Sequence, residues 1–205
     1  MNDGLELCIR VRSLRRLRAR CCTAAMVSAF LLSAALVPAE SGLQLDVVTW
    51  NVESSGSDFQ TVSRRLASLS LDAEIVVLQE VAEDDAPRYR AALGPGWESI
   101  LGTNRGELHQ LLLFDGRALE LVRFWELSTY DGVVLIPEPS RSGRRAPLLA
   151  EFVSRVDNSR FLAVAVHLTR GNADQRTLEA YLLRRFMEES AVPVIALGDF
   201  NFDLA

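Results

Sequence analysis

The sequence predicts an α/β domain, and three stretches carry that prediction. Leu45 to Asn51 is a β-branched and aromatic run, Phe59, Val62, Leu66 and Leu69 recur at helical spacing, and Ala73 to Leu78 is a second apolar run. Strand, helix and strand within about 35 residues make an α/β unit. Short apolar runs separated by Gly or Asp then follow from Trp97 onward. A further apolar run, Pro193 to Asp203, ends in Gly198, Asp199 and Asn201. Its continuous apolar character predicts a central strand covered on both faces, and Gly198 suits a sharp turn or a close approach where that strand ends. In extended backbone the spacing of Asp199 and Asn201 places both side chains on one side.

The chain opens on a segment unlike the rest. Arg10, Arg12, Arg15, Arg16, Arg18 and Arg20 form a basic run, followed by the charge-free stretch Cys21 to Ala39 with its apolar core Ala24 to Val37. Val37-Pro38-Ala39 then offers small residues at signal-peptidase spacing, which completes the order of a secretory signal. The expected organisation is a signal peptide over 1–39 and a single domain over 40–205, with a secreted or periplasmic product. An uncleaved membrane anchor is the alternative for the 19 charge-free residues, whose Ala, Ser and Thr content makes a weak span. Arg15-Arg16 fits a twin-arginine pattern poorly, and Cys21 and Cys22 lie on the wrong side of the apolar core for lipid attachment.

Along the remainder, Asp58 caps the first helix, and Pro87 starts a short one that Gly94-Pro95-Gly96 stops at Leu93. Trp97 to Leu101, Leu108 to Phe114, Leu119 to Leu127 and Val133 to Ile136 read as strands. Pro137 to Arg145 reads as a loop, and Leu148 to Val153 with Arg160 to Leu168 as a hairpin around Asp157-Asn158. Thr177 to Glu189 is a helix with Leu178, Leu182 and Phe186 on one face.

Composition excludes several function classes. All three cysteines, Cys8, Cys21 and Cys22, fall in the leader, so the mature domain has neither a disulfide framework nor a thiolate metal site. All 22 basic residues are Arg; the mature chain keeps 16 of them against 25 acidic residues, a net charge of about −9. Such a surface repels bulk polyanions and speaks against a non-specific nucleic-acid coat protein.

Four apolar runs end in a residue with useful chemistry: Asn51, Glu80, His167, and Asp199 with Asn201. Each alone is explained by a turn, a cap or a core histidine; together they mark one end of an α/β sheet, where ligands bind. Two carboxylates without thiolates and with few histidines favour Mg²⁺, Mn²⁺ or Ca²⁺ over zinc. Asn51 and Asn201 supply amide groups for phosphate oxygens, and Arg144 or Arg145 supplies a guanidinium for charge developing on phosphorus.

The motifs Thr49-Trp50-Asn51-Val52, Leu78-Gln79-Glu80-Val81, Arg145-Ala146-Pro147, Val166-His167-Leu168 and Gly198-Asp199-Phe200-Asn201 occur in the order seen in the endonuclease/exonuclease/phosphatase superfamily, which the mature chain resembles over nearly its whole length. The group includes secreted deoxyribonucleases and sphingomyelinases. The resemblance implies a four-layer α/β sandwich, with two central mixed sheets flanked by helices. It implies a divalent-metal-dependent phosphoesterase of nuclease type, with Mg²⁺ or Mn²⁺ as cofactor. The substrate would be a phosphodiester in nucleic acid or a small phosphoester. No obligate protein partner and no stable membrane span after leader removal are implied.

By the same resemblance Glu80 binds the metal with support from Asn51 and Asp199. His167 hydrogen-bonds the phosphate or protonates the leaving group, and Asp199 positions or activates the attacking water. Asn201 holds a non-bridging oxygen, and Arg145, ahead of Arg144, contacts the phosphate. Glu107 and His109 lie where some members carry a second catalytic pair, although their spacing favours a place on the strand surface. The family's closing Ser-Asp-His-like segment has no counterpart before Ala205. The expectation is a domain incomplete at its C-terminus and weak in catalysis, with a non-catalytic remnant that binds a phosphorylated ligand as the alternative.

Overall fold

The computed structural model describes residues 7–12, 43–70, 72–103, 107–130, 133–134 and 145–202, the segments 7–12 and 133–134 by backbone alone. The apolar core of the leader, its cleavage site, Arg141, Arg144 and most of the Pro137 to Arg145 loop lie outside the described residues.

The elements in chain order are β1 (Leu7–Arg12), β2 (Gln44–Asn51), α1 (Phe59–Leu69), β3 (Ile75–Ala82), a single 3₁₀ turn (Glu83–Asp85), α2 (Ala86–Leu93), β4 (Trp97–Leu101), β5 (Leu108–Asp115), β6 (Leu119–Glu126), β7 (Thr129–Tyr130), β8 (Val133–Val134), β9 (Leu148–Ser154), β10 (Arg160–His167), α3 (Ala173–Glu189) and β11 (Val194–Asp199). The first sheet runs β1-β2-β3-β5-β4, the second β11-β10-β9-β6, and β7 with β8 forms a two-stranded ribbon. β1 falls within the segment read from sequence as a leader and pairs antiparallel with β2.

Side-chain alternation sorts the core into layers. Val47, Val77, Leu112, Phe114, Phe152, Ala163, Ala165 and Leu197 point between the sheets. Val48, Val76, Leu78, Leu111 and Leu113 point outward beneath α1 and α2. Leu149, Val164 and Val166 point outward beneath Leu182 and Leu183 of α3. Helices, sheet, sheet and helix make the four-layer α/β sandwich. Burial of this many branched side chains, at roughly 1.5–3 kcal/mol each, is the main force that holds the layers together.

Helix ends follow their caps. Asp58 accepts from Thr61 N–H at the start of α1, as the sequence predicts. α3 begins one turn earlier than predicted, because Asn172 accepts from Gln175 N–H and starts the helix at Ala173. Its core face also differs: Leu182 and Leu183 are buried, while Leu178 is 40% exposed. The predicted stripe missed Leu183 because α3 packs with its C-terminal half.

β11 has the composition of a central strand and one partner strand among the described residues. That partner is β10. Its apolar run arises because Ile195 and Leu197 face the inter-sheet core while Val194 and Ala196 pack beside α3. A strand covered on both faces has this composition.

Candidate functional site

The two parallel strand pairs, β2 with β3 and β10 with β11, place their C-terminal ends at one edge of the sandwich. Asn51 is the last residue of β2, His167 the last of β10, and Asp199 the last of β11, in register with His167. Glu80 arrives by a different route. Pairing of β3 with β5 slips between Leu78 and Val81, so Gln79 and Glu80 together oppose Gln110. This is a β-bulge, and Glu80 sits in it at φ +58°. A non-glycine residue in the left-handed region costs about 1–3 kcal/mol, and bulges are used to re-aim side chains.

The result is a cluster around one imidazole. His167 Nε2 lies 3.7 Å from Glu80 Oε1 and 3.9 Å from Asp199 Oδ2. Asn51 Nδ2 donates to Asp199 Oδ2 at 3.2 Å, and Asn51 Oδ1 accepts from Glu53 N–H at 3.2 Å. Arg145 donates from Nε to the Leu108 carbonyl at 3.0 Å and from Nη1 to His167 Nδ1 at 2.9 Å. Thus five residues from five separate segments meet.

Asp199 and Asn201 do not share a side by strand alternation as predicted. The strand ends at Asp199 and Asn201 turns to φ +51°. Asp199 Oδ1 accepts from the Asn201 N–H at 2.8 Å, and the Asn201 amide donates from Nδ2 to the Leu168 carbonyl at 2.7 Å. The short Asx-type hydrogen bond replaces the extended geometry. Asn201 therefore fixes the carboxylate and the β10 loop.

Gly198 permits the approach of the two strands. At φ +143°, a Cβ there would lie 1.9 Å from the Val166 carbonyl oxygen. Only glycine lets β11 carry Asp199 to this distance from His167.

The protonation state of His167 follows from its partners. A guanidinium has no acceptor, so Nδ1 must accept from Arg145 and the single ring proton sits on Nε2, facing the carboxylates. Burial holds the His167 pKa below its ordinary value; the Arg145 charge lowers it further, against the pull of Asp199 and Glu80, and Arg170 adds to the lowering. Burial also lowers the Arg145 pKa, opposed by Glu80 and Asp199. Counting formal charges, two carboxylates face one guanidinium and a neutral imidazole. One negative charge is left over.

That surplus bears on a metal. No set of three or more acidic, imidazole or thiol groups gathers for a metal among the described residues. No hydrogen bond reaches the Glu80 carboxylate among them either; its neighbour is His167 Nε2 at 3.7 Å. Two oxygen-bearing carboxylates and an amide, with uncompensated charge, fit Mg²⁺, which takes one or two carboxylates and fills the remaining positions with water or phosphate. They do not fit a tetrahedral zinc site.

Of the other predicted residues, Arg144 lies outside the described residues. His109 is buried with Nδ1 2.9 Å from the Gly102 carbonyl, on the α1/α2 side of β5. This corrects its expected place on the strand surface: at the even–odd alternation of β5 it shares the outward face of Leu111 and Leu113, under the helices. Sequence reading missed the polar floor of the site. Gln79 donates from Nε2 to Thr49 Oγ1 at 3.2 Å, and Gln110 is buried with neither amide atom hydrogen-bonded among the described residues. A glutamine in the middle of the apolar run Leu108 to Phe114 is the signal that was available.

The model of the Endonuclease/Exonuclease/phosphatase family matches residues 48–205, which include every residue of this cluster. The chain belongs to the endonuclease/exonuclease/phosphatase family. It is 28% identical over 193 residues to a deoxyribonuclease of Thioalkalivibrio sp. (strain K90mix), a match that covers 83% of this chain and 50% of that protein. The chain thus spans about half the length of that relative. Two solved structures of the fold are similar: D. rerio TDP2 complexed with a single-strand DNA product, and a Bacteroides thetaiotaomicron mannosyl-6-phosphatase. The first has a TM-score of 0.63 and 18% identity, covering 78% of this chain and 61% of that one. The second has a TM-score of 0.60 and 19% identity, covering 77% and 65%. The family is one of phosphoesterases, nuclease- or phosphatase-like.

Proposed function

We propose that this chain is a divalent-metal-dependent phosphodiesterase of nuclease type. The observation that carries the reading is the approach of Glu80 and Asp199 to the one imidazole, with a single guanidinium behind it. Two carboxylates held that close are costly unless a cation is shared between them. The ion would be held by Glu80 and Asp199, with the Asn51 amide oxygen beside them. When bound, a divalent ion withdraws charge from a phosphoryl oxygen and lowers the pKa of its water.

The chain's own residues supply the rest. Arg145 has donors left after binding Leu108 and His167, and these bond the phosphate oxygens. His167 donates its Nε2 proton as a hydrogen bond to phosphate. It does not deliver that proton, because loss from a neutral imidazole would leave an imidazolate. Asp199, held by Asn51 and Asn201, orients the attacking water and accepts its proton. The second amide hydrogen of Asn201 bonds a non-bridging oxygen.

Among the described residues the leaving oxygen therefore has no imidazolium donor. The sequence holds two histidines, and the other, His109, points to the far side of β5. Absence of general-acid help typically lowers rates about 10²–10⁴-fold, most for poor leaving groups. The chain is expected to be a weak catalyst, hydrolysing aryl phosphodiesters slowly and alkyl ones more slowly still. The test is hydrolysis of bis(p-nitrophenyl) phosphate with Mg²⁺ or Mn²⁺, abolished by chelator and by Glu80→Ala. Binding of phosphate without any turnover would instead support the non-catalytic reading.

A further inference from the structure

We propose that Phe202, backed by Arg176, is a stacking subsite for the nucleobase next to the phosphate held by Arg145, His167 and Asn201. This deepens the proposed function and rests on it for the position of the phosphate.

Phe202 follows Asn201, where the positive φ turns the chain out of β11. Phe202 is 51% exposed, a large apolar ring left open to solvent next to Asn201. One side of its ring is occupied: the Arg176 guanidinium carbon lies 5.6 Å from the ring centroid. Arg176 Nη1 donates to the Thr169 carbonyl at 3.3 Å, while its Nε is buried with no hydrogen bond among the described residues. The guanidinium is thus placed against the ring in a cation–π arrangement, leaving the exposed side of Phe202 for a planar group.

The mounting is rigid. Leu168 N–H donates to the Asp199 carbonyl at 2.9 Å, and the Asn201 amide returns to the Leu168 carbonyl. Thr169 is fixed through both its N–H and its hydroxyl by Glu179 of α3, at 2.8 and 2.7 Å. The loop that carries Arg170, the platform on α3 and the strand end of β11 form one unit. Phe202 is one residue from Asn201, about 3.8 Å from Cα to Cα, so a base on the same nucleotide as the bound phosphate is within its reach.

Charge selects the ligand further. Arg170 is exposed and makes no hydrogen bond or ion pair among the described residues, and it is close enough to lower the His167 pKa. Arg170 and Arg176 add two positive charges beside the carboxylate cluster that Arg145 only half neutralises. A short single strand or a lone nucleotide suits that combination. A base stacked inside a duplex has no free face to offer Phe202.

The experiment measures binding of thymidine 5′-monophosphate, ribose 5-phosphate, phenyl phosphate and inorganic phosphate by calorimetry with Mg²⁺ present, since none of these ligands carries a phosphodiester bond to cleave. Thymidine monophosphate is expected to bind about 10-fold more tightly than ribose 5-phosphate, the size of one base–aromatic stack. Phe202→Ala should erase that difference, Phe202→Trp should preserve it, and inorganic phosphate should bind all three proteins equally. Equal binding of thymidine monophosphate and ribose 5-phosphate, or an advantage that survives Phe202→Ala, would overturn the subsite. So would a lower melting temperature in Phe202→Ala without any change in nucleotide affinity, because Phe202 would then be structural. Phenyl phosphate binding as tightly as the nucleotide would overturn the assignment to a nucleobase. Failure of the underlying function looks different: inorganic phosphate would not bind, or would bind unchanged in Arg145→Ala.

Discussion

Gly198→Ala is the sharpest perturbation available, because it acts on the backbone contact that places Asp199. The added methyl would lie 1.9 Å from the Val166 oxygen and 2.9 Å from its carbonyl carbon and its nitrogen. All of these are backbone atoms, so no side chain can swing away. Relief to ordinary contact requires β10 and β11 to part by about 1.5 Å, which breaks the adjacent ladder hydrogen bonds, each worth about 1 kcal/mol. Alanine at φ +143° adds about 1–3 kcal/mol of backbone strain. Together these cost about 3–4 kcal/mol, a fall of roughly 10 °C in melting temperature for a domain of this size. Gly171→Ala is the control. Gly171 also has a positive φ, +80°, but nothing lies within 4 Å of its would-be Cβ, so its loss should stay near 1 kcal/mol, or about 3 °C. Thermal unfolding followed by circular dichroism reads both. If Gly198→Ala melts no lower than Gly171→Ala, the close approach of the strands is wrong and Asp199 is not positioned as described.

Other expectations follow from the same geometry. Added Mg²⁺ or Mn²⁺ should raise the melting temperature, by about 2.7 kcal/mol of stabilisation at 100 times Kd, and Glu80→Gln should diminish the shift. A shift unchanged in Glu80→Gln would place the ion elsewhere. Arg145→Ala should move the His167 pKa upward, read from its imidazole proton resonances, since it removes a neighbouring cation and the donor to Nδ1. Because the folded-state pKa of His167 is depressed, its contribution to stability is intact above the unfolded value near 6.5 and declines as pH falls below it. A midpoint that stays put in Arg145→Ala would contradict the tautomer assigned here. Export with cleavage after Ala39 predicts a mature N-terminus at Glu40 by mass spectrometry; a soluble cytoplasmic product with its leader intact would contradict it.

Most of the fold was legible from period and punctuation. The ends of β4 were read to the residue, and α1 was found from Asp58 and its helical repeat, because local propensity and tertiary burial agree there. The convergence of strand ends was legible too, since Asn51, Glu80, His167 and Asp199 each close an apolar run. What escaped was geometry set by non-local contact. The bulge that turns Glu80 depends on how β3 registers against β5, and nothing in Leu78-Gln79-Glu80-Val81 specifies it. The short range of the Asx bond from Asp199 to Asn201 overrode the extended alternation assumed for that pair. Arg145 was chosen from its place before Ala146-Pro147, but its hold on His167 Nδ1, which fixes the imidazole tautomer, required coordinates.

The rate of Mg²⁺-dependent bis(p-nitrophenyl) phosphate hydrolysis by Asp199→Asn, compared with the unaltered chain, tests the central claim most directly. Asparagine keeps the shape of the side chain and removes the charge and the proton acceptor. A fall of about 10²-fold or more is predicted, with the melting temperature nearly unchanged. A variant that folds normally and keeps its rate within a few-fold would contradict the assignment of this cluster as a phosphodiesterase site.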